Sequence, residues 1–182
     1  MVYAPVIANI GGRLQVVPMR YTCRLAGKPA NYDARFPGTY NARRDNLGGF
    51  WNNIYGRNHA IMLVSSFYEN VPRHLYEKRE LKADEKPSNM VLQFNPRPAI
   101  EMAVASLWDH WSGPGAPDLW SFAAVTDEPP PEIAETGHQR VIIVLRDQNA
   151  REWLSPEGVS RERLEAILSE REAPYYEHQI AA

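Results

Sequence analysis

The sequence predicts a mixed α+β fold, in which a few short helices flank a curved, mostly antiparallel, barrel-like β-sheet. Strand-like apolar runs are short and numerous, helical patterns are few, and 15 Pro and 11 Gly residues imply many turns. The length of 182 residues suits one domain with a substantial core. Because no linker-like segment interrupts the chain, we expect a single domain over residues 1–182.

In the first part of the chain, turn signals separate a strand, a long loop and a helix. Gly11-Gly12 marks a turn, and residues 14–19 follow as a strand. Residues 24–39 contain Pro and Gly with little periodicity, which predicts a long loop of the kind that often binds ligands. Asn46 is a candidate N-cap for a short helix over residues 47–55.

Strands and two helices are predicted for the rest of the chain. The apolar run 59–68 predicts a buried strand that ends at Glu69, before a polar surface excursion over residues 70–89. Apolar and β-branched runs around and beyond the turn at residues 95–98 predict strands at 90–94, 102–107, 120–126 and 141–145. Residues 147–154 and 160–169 have helical patterns, the second with Ser160 as its N-cap.

The composition excludes several classes of protein. A net charge of −2 gives no global basic field, so any nucleic-acid site must be a local patch. The single cysteine, Cys23, excludes an internal disulfide and fits a reducing cytoplasm. Neither a signal peptide nor a membrane-spanning apolar run is visible, and the chain has no metal-ligand spacing, P-loop or dinucleotide fingerprint. We therefore expect a cytoplasmic protein without a metal or cofactor.

Three polar clusters stand beside apolar runs and offer catalytic chemistry. Asn41 supplies an amide that can orient a reacting group and Arg43 a phosphate-binding guanidinium, unless this segment is a turn with solvated charges. Glu69 suits acid–base chemistry if partly desolvated, unless the strand has simply reached water there. His138, close to Arg140, offers a proton shuttle, although a lone histidine is more often a packing or surface residue.

Two neighbours of the first cluster extend its possible role in nucleic-acid binding. Arg44 offers a second guanidinium for phosphates. Trp51, close to these arginines, is a candidate for stacking on a base, and its alternative role is in the core.

The order and spacing of the clusters resemble the SOS response-associated peptidase (SRAP) family, which carries N-A-R, F-Y-E and H-x-R in this order. The resemblance extends to the patterns P-M-R-Y, L-W-x-x-W and S-F-x-x-x-T, found here at residues 18–21, 107–111 and 121–126. The N-A-R-R-D-N and F-Y-E-N-V segments are similar to a phage-associated branch. Family members often have Glu at the position of Asp45 and Trp at that of Asn70.

The resemblance implies capture of abasic sites in single-stranded DNA. In the family, self-removal of the initiator Met exposes an N-terminal cysteine, which closes a thiazolidine on the abasic aldehyde, so the activity is peptidase- and lyase-like. By position, the resemblance implies a catalytic set of Asn41, Glu69 and His138 and a DNA surface that includes Arg43, Arg140, Arg20 and Pro5. We expect a monomer that binds single-stranded DNA, associates with the nucleoid when bound, and has no membrane partner.

The nucleophile is the main conflict with the family. Cys23 has its nitrogen in a peptide bond and cannot form a thiazolidine. Residues 2–7 are similar to a family segment some tens of residues after its start, so we expect this chain to lack the cysteine segment and to be inactive in crosslinking. Truncation is the favoured explanation because Asn41, Glu69 and His138 persist. The alternatives are a non-catalytic, single-stranded DNA-binding paralogue of phage origin and a structural relic without DNA affinity.

Overall fold

Residues 2–181, which are described by a computed structural model, form ten strands and five short α-helices. The strands are β1 (Tyr3–Ile10), β2 (Arg13–Tyr21), β3 (Asn41–Arg43), β4 (His59–Val64), β5 (Phe67–Pro72), β6 (Asn89–Arg97), β7 (Met102–Trp111), β8 (Leu119–Asp127), β9 (Val141–Ile142) and β10 (Tyr175–Ile180). The helices are α1 (Tyr32–Arg35), α2 (Arg73–Tyr76), α3 (Pro131–Ala134), α4 (Asp147–Leu154) and α5 (Arg161–Ser169). The predicted α+β class is confirmed.

Seven strands form one sheet in the order β2-β1-β4-β7-β8-β3, with β9 also beside β8. Antiparallel pairs join β1 to β2, β1 to β4 and β7 to β8. The sheet closes into a ring because β2 also pairs with β8, in parallel, through Arg20 with Ser121 and Tyr21 with Phe122. Closure leaves fewer open strand edges than a flat sheet would have. The predicted curved, mostly antiparallel, barrel-like sheet is therefore confirmed.

Both faces of this sheet are buried in apolar clusters. On one face, Trp108 and Phe122 pack with Val6, Ala8, Met19 and Ala60. The next residue along β8, Ala123, belongs to a larger cluster that includes Trp153 of α4 and Leu164 of α5. Successive side chains of a strand point to opposite faces, so the two clusters share the same strands. Burial on both faces explains why these strands have nearly continuous apolar runs in the sequence.

The other strands form a separate antiparallel sheet in the order β10-β6-β5. Each sheet belongs to its own compact unit. Over the described residues, unit 1 consists of residues 2–63, 103–126 and 142–172, and unit 2 of residues 64–102, 127–141 and 173–181. The single domain over residues 1–182 stays a prediction.

The predicted helix over residues 47–55 is wrong. The segment is a succession of turns that follows a 3-10 turn at Arg44–Asn46. The Asn46 Oδ1 atom accepts a hydrogen bond from the Phe50 amide at 3.2 Å, and Gly48-Gly49 lowers the helix propensity of the segment. Trp51 is buried in the larger cluster all the same, which agrees with the core role that the sequence left open for it.

The predicted strand over residues 59–68 is two strands, β4 and β5, which are separated at Ser65-Ser66. Glu69 consequently lies inside β5 and not at a strand end. The predicted turn at 95–98 begins later, because β6 continues to Arg97. The strand expected at 141–145 is shorter than predicted, since only β9 is regular and Val144 makes isolated bridges to Val104 and Glu172.

The predicted start of the last helix is confirmed. The Ser160 side chain accepts a hydrogen bond from the Arg163 amide at 3.2 Å, which satisfies one of the free N–H groups of the first turn of α5.

The predicted loop at 24–39 contains the one-turn helix α1. Among residues 2–181, no helix has both the length and the apolar character that crossing a membrane requires.

Candidate functional site

The alternation of side chains along β5 places Glu69 on the buried face of the three-stranded sheet of unit 2. Its neighbours at spacing two, Phe67 and Val71, are both buried, whereas Tyr68 points the other way and is 58% exposed. Glu69 pairs with the fully buried Leu92 of β6. Its carboxylate therefore emerges from a largely apolar face and is only 19% exposed itself.

His138 is brought to Glu69 by the short helix α3 and the turn after it. Proline at the first positions of α3 suits a helix start, and the Thr136 hydroxyl donates back to the carbonyl of Ile133 at 2.7 Å. The chain then turns at Gly137 and places His138 Nε2 3.1 Å from Glu69 Oε2, with both side chains 19% exposed. Two groups suited to acid–base chemistry are thus 3.1 Å apart and partly shielded from water, although among residues 2–181 the buried Nε2 atom has no hydrogen-bond partner of good geometry.

Gly137 is required for this turn. Its φ of +90° lies in the left-handed region, and a Cβ at this position would sit 2.7 Å from the Cβ of Leu75. We expect Gly137→Ala to lower the free energy of unfolding by about 1–3 kcal/mol, because it combines backbone strain with a contact that cannot relax easily. Thermal unfolding measures the loss. The control is Gly158→Ala, where φ is +80° but nothing lies within 4 Å, and an equal loss in both variants would contradict the role of Leu75.

A cavity of about 390 Å³ opens next to the histidine in unit 2. Its lining includes His138, Gln139 and Arg140 from one loop, together with Glu128 and Leu75. Arg140 is 19% exposed, and its Nη1 atom lies 3.8 Å from Glu128 Oε1. The cavity thus places a guanidinium two residues from the proton-exchanging pair, which suits an anionic ligand such as a phosphodiester.

In unit 1, Asn41 is the first residue of β3 and pairs in parallel with Ala124 of β8. The Tyr21 hydroxyl donates to Asn41 Oδ1 at 3.4 Å, and the Tyr21 ring packs on Phe122 with a centroid distance of 5.2 Å. This contact orients the amide through its oxygen. The sequence pattern included Tyr21, but its hydroxyl was not predicted to position Asn41.

The six residues predicted to contact DNA occupy different environments. Arg43 is 52% exposed and forms a bidentate contact with Asp45, whereas Arg44 is tied to Glu165 at 3.0 Å. Pro5 is exposed on β1. Trp51 is only 3% exposed, so the predicted stacking on a base does not fit its position in the core.

Arg20 also has a structural environment. It is 5% exposed, its Nη1 atom contacts Asp33 at 2.7 Å, and its Nη2 atom donates to the Thr22 carbonyl at 2.8 Å. Arg24 contacts the same carboxylate at 2.7 Å. The predicted contact between Arg20 and phosphate does not fit this burial, and the importance of Asp33 was missed because it stood in a segment predicted as an irregular loop.

Cys23 is fully buried in unit 1. Burial, together with the negative charge of Asp109, raises the pKa of its thiol to about 12. The side chain is therefore a neutral thiol near neutral pH and not a thiolate nucleophile. Across residues 2–181, no group of three or more acidic, histidine or cysteine side chains is arranged to hold a metal ion.

Comparison with solved structures shows which fold this is. A protein from Bacteroides thetaiotaomicron superposes with a TM-score of 0.72 at 13% identity, covering 100% of this chain and 74% of its own. A phage-related protein from Bordetella bronchiseptica superposes with a TM-score of 0.71 at 15% identity, covering 98% and 78%. Identities this low establish a shared fold only.

The family is established by sequence. Residues 3–181 match the model of the family described as SOS response associated peptidase (SRAP), and the chain belongs to this family. It is 27% identical over 114 residues to abasic site processing protein YoqW of Bacillus subtilis, and 26% identical over 113 residues to abasic site processing protein YobE of the same organism. These alignments cover 63% and 62% of this chain and 46% of each relative, so the chain spans about half the length of the curated relatives that it matches.

Proposed function

We propose that this protein recognises abasic sites in single-stranded DNA and that Glu69 and His138 are its proton-transfer pair. The observation that carries the proposal is their 3.1 Å contact beside the cavity that contains Arg140. The family membership and the names of the Bacillus relatives support the same substrate. The proposed place of action is the cytoplasm, at the nucleoid once DNA is bound.

An abasic deoxyribose presents an aldehyde, and the pair fits the proton movements that this group requires. When an amine adds to the aldehyde carbon, a carbinolamine forms, and its hydroxyl needs a proton to leave as water. A histidine and a carboxylate in contact can hold that proton and accept it again. In the complete family reaction, an N-terminal cysteine provides the amine and its thiol adds to the imine carbon. The buried Cys23, with its nitrogen in a peptide bond, does not take this role.

Arg140 in unit 2 and Arg43 in unit 1 are the proposed phosphate contacts. Both guanidiniums lie near the surface, in contrast with Arg20, which is occupied in the interior. Asn41 of unit 1, oriented by Tyr21, is the proposed catalytic amide. The contribution of Arg44 is smaller, because Glu165 and Ser169 already hold its guanidinium.

Binding of a labelled single-stranded oligonucleotide, followed by fluorescence anisotropy, tests this proposal. We expect tighter binding when the oligonucleotide carries one abasic site than when it is intact. Arg140→Ala is expected to weaken binding about 10-fold, as loss of one charge-assisted contact would do. The matched control is Arg97→Ala, which removes an exposed arginine paired with Glu177 in the same unit.

The alternative function is non-catalytic binding of single-stranded DNA. It is favoured by the burial and neutral state of Cys23, which leave the thiol unsuited to covalent chemistry. Equal affinity for intact and abasic oligonucleotides, with a strong decrease at high salt, would establish this alternative and contradict abasic recognition. On a denaturing gel we expect residues 1–182 to form no thiazolidine crosslink with abasic DNA. A retained protein–DNA band that disappears in the Cys23→Ser variant would show that Cys23 is the nucleophile after all.

A further inference from the structure

The two arginines proposed to bind phosphate each have a carboxylate partner from a nearby position in the chain. In unit 2, Glu128 Oε1 lies 3.8 Å from Arg140 Nη1, and the Glu128 side chain is 79% exposed. In unit 1, Asp45 contacts Arg43 through both oxygens, at 3.1 Å to Nε and 2.5 Å to Nη2. The Arg43 and Asp45 side chains are 52% and 57% exposed.

A carboxylate and a phosphodiester compete for the same N–H groups, because a guanidinium binds the oxygen atoms of either through parallel hydrogen bonds. Asp45 makes such a two-point contact with Arg43, whereas Glu128 is a charged neighbour of Arg140 at 3.8 Å, beyond hydrogen-bond distance.

Ion pairs between exposed side chains are weak, because water screens both charges and holding two long side chains in place costs entropy. The pair of Arg43 is exposed on both sides, and the pair of Arg140 joins a 19% exposed guanidinium to a 79% exposed carboxylate. Both therefore differ from the buried contacts of Arg20 and Arg24 with Asp33, in which all three side chains are at most 10% exposed. An incoming phosphate can replace the exposed carboxylates but not the buried one.

Glu128 is better placed than Asp45 to compete with a bound phosphate. It lines the same cavity as Arg140 and His138, so its charge faces any anion that enters the cavity. Its contact with Arg140 is long, and its side chain lies mostly in water, so it can rotate away without losing burial. Asp45, two residues after Arg43 in the chain, forms the tighter contact.

We propose that Glu128, and to a smaller extent Asp45, act as phosphate mimics that DNA must displace from Arg140 and Arg43. Binding is then an exchange of carboxylate for phosphodiester at each arginine. The exchange lowers affinity for any single-stranded DNA, so that tight binding depends on further contacts such as those made at an abasic site. This inference assigns new residues to the proposed DNA site and rests on the proposed function for its ligand.

Anisotropy titrations with an intact single-stranded oligonucleotide test the exchange. We expect Glu128→Gln to tighten binding about 2- to 5-fold, which corresponds to releasing one exposed ion pair. Glu101→Gln, which removes the same charge from an exposed position in unit 2, measures the general effect of net charge. In an Arg140→Ala background, Glu128→Gln should tighten binding no more than Glu101→Gln does. Asp45→Asn should behave in the same way with respect to Arg43, with a smaller gain.

The possible outcomes separate this inference from the proposed function. An unchanged or weaker affinity for Glu128→Gln, or an equal gain with and without Arg140, would overturn the exchange. So would the absence of measurable binding by every variant, because removal of the competing carboxylate then creates no phosphate site. If Glu128→Gln tightens binding through Arg140 but abasic and intact oligonucleotides bind equally, the exchange stands and abasic recognition fails.

Discussion

Asp33→Asn is expected to lower the free energy of unfolding of unit 1 by about 3–5 kcal/mol, since it leaves two buried guanidiniums without their counter-charge. Arg20 and Arg24 both contact the Asp33 carboxylate at 2.7 Å, and the three side chains are 6%, 10% and 9% exposed. Burial opposes ionisation of Asp33, but the hydrogen bond from Arg24 and the charges of both arginines outweigh it and lower the pKa of the carboxyl. Asp33 is therefore ionised at neutral pH.

Urea denaturation followed by tryptophan fluorescence measures this loss directly. All five tryptophans of the chain lie in segments of unit 1, so the signal reports this unit. Asp84→Asn, at an exposed position, is the matched control and should change stability by less than about 0.5 kcal/mol. A loss below about 1 kcal/mol for Asp33→Asn would mean that water reaches the two guanidiniums in the folded chain.

Acidification is expected to destabilise unit 1 through His59 by about 1.4 kcal/mol per pH unit below pH 6.5. Burial lowers the pKa of this histidine from 6.5 to about 3. Its Nδ1 atom lies 2.9 Å from the Trp153 carbonyl, and its Nε2 atom accepts from the Gly56 amide at 2.9 Å. A proton on Nε2 would face an N–H donor, so the folded chain keeps the imidazole neutral.

The direction of the change in stability with pH follows from which state of the chain, folded or unfolded, binds the proton more readily. The unfolded chain protonates His59 near pH 6.5 and the folded chain only near pH 3, so the stabilisation is complete above pH 6.5 and is lost as the pH falls towards 3. His59→Gln should be less stable at pH 7 but should lose less stability than the wild type between pH 6.5 and 4. Exposed His178→Gln is the control. Parallel pH profiles for wild type and His59→Gln would contradict a buried neutral imidazole.

The elements that were predicted correctly have local signals. The β-branched and apolar runs of β7 and β8 and the Ser160 cap of α5 are properties of a few neighbouring residues. The predicted helix at 47–55 failed because its apolar spacing satisfied a helix and a run of turns equally well, and the Asn46 contact and Gly48-Gly49 decided between them. The ring closure of β2 on β8 has no local signal at all, since it joins distant segments.

For the site, the sequence supplied residue types and their order, and the structure adds the contacts. Glu69 and His138 came from separate weak motifs, and only folding of β5 and the turn at Gly137 brings them within 3.1 Å. Two of the proposed DNA contacts do not fit the observed burial. Trp51 has the core role that the sequence left open for it, and Arg20 was expected at a DNA surface because of its chemistry, whereas it is 5% exposed. Glu128 was missed because a single exposed carboxylate has no distinguishing sequence context.

The pairing of β2 with β8 sets an order of events during protein synthesis. The ring of unit 1 cannot close until Ser121 and Phe122 have left the ribosome, long after Arg20 and Tyr21 have emerged. Its larger apolar cluster also waits for α5. The β1–β2 hairpin is thus made early and remains without its partner strand while most of the chain is translated, in the state most open to misassembly. Non-local pairing of this kind slows folding, so unit 1 folds as a late, concerted event and not progressively from its N-terminus.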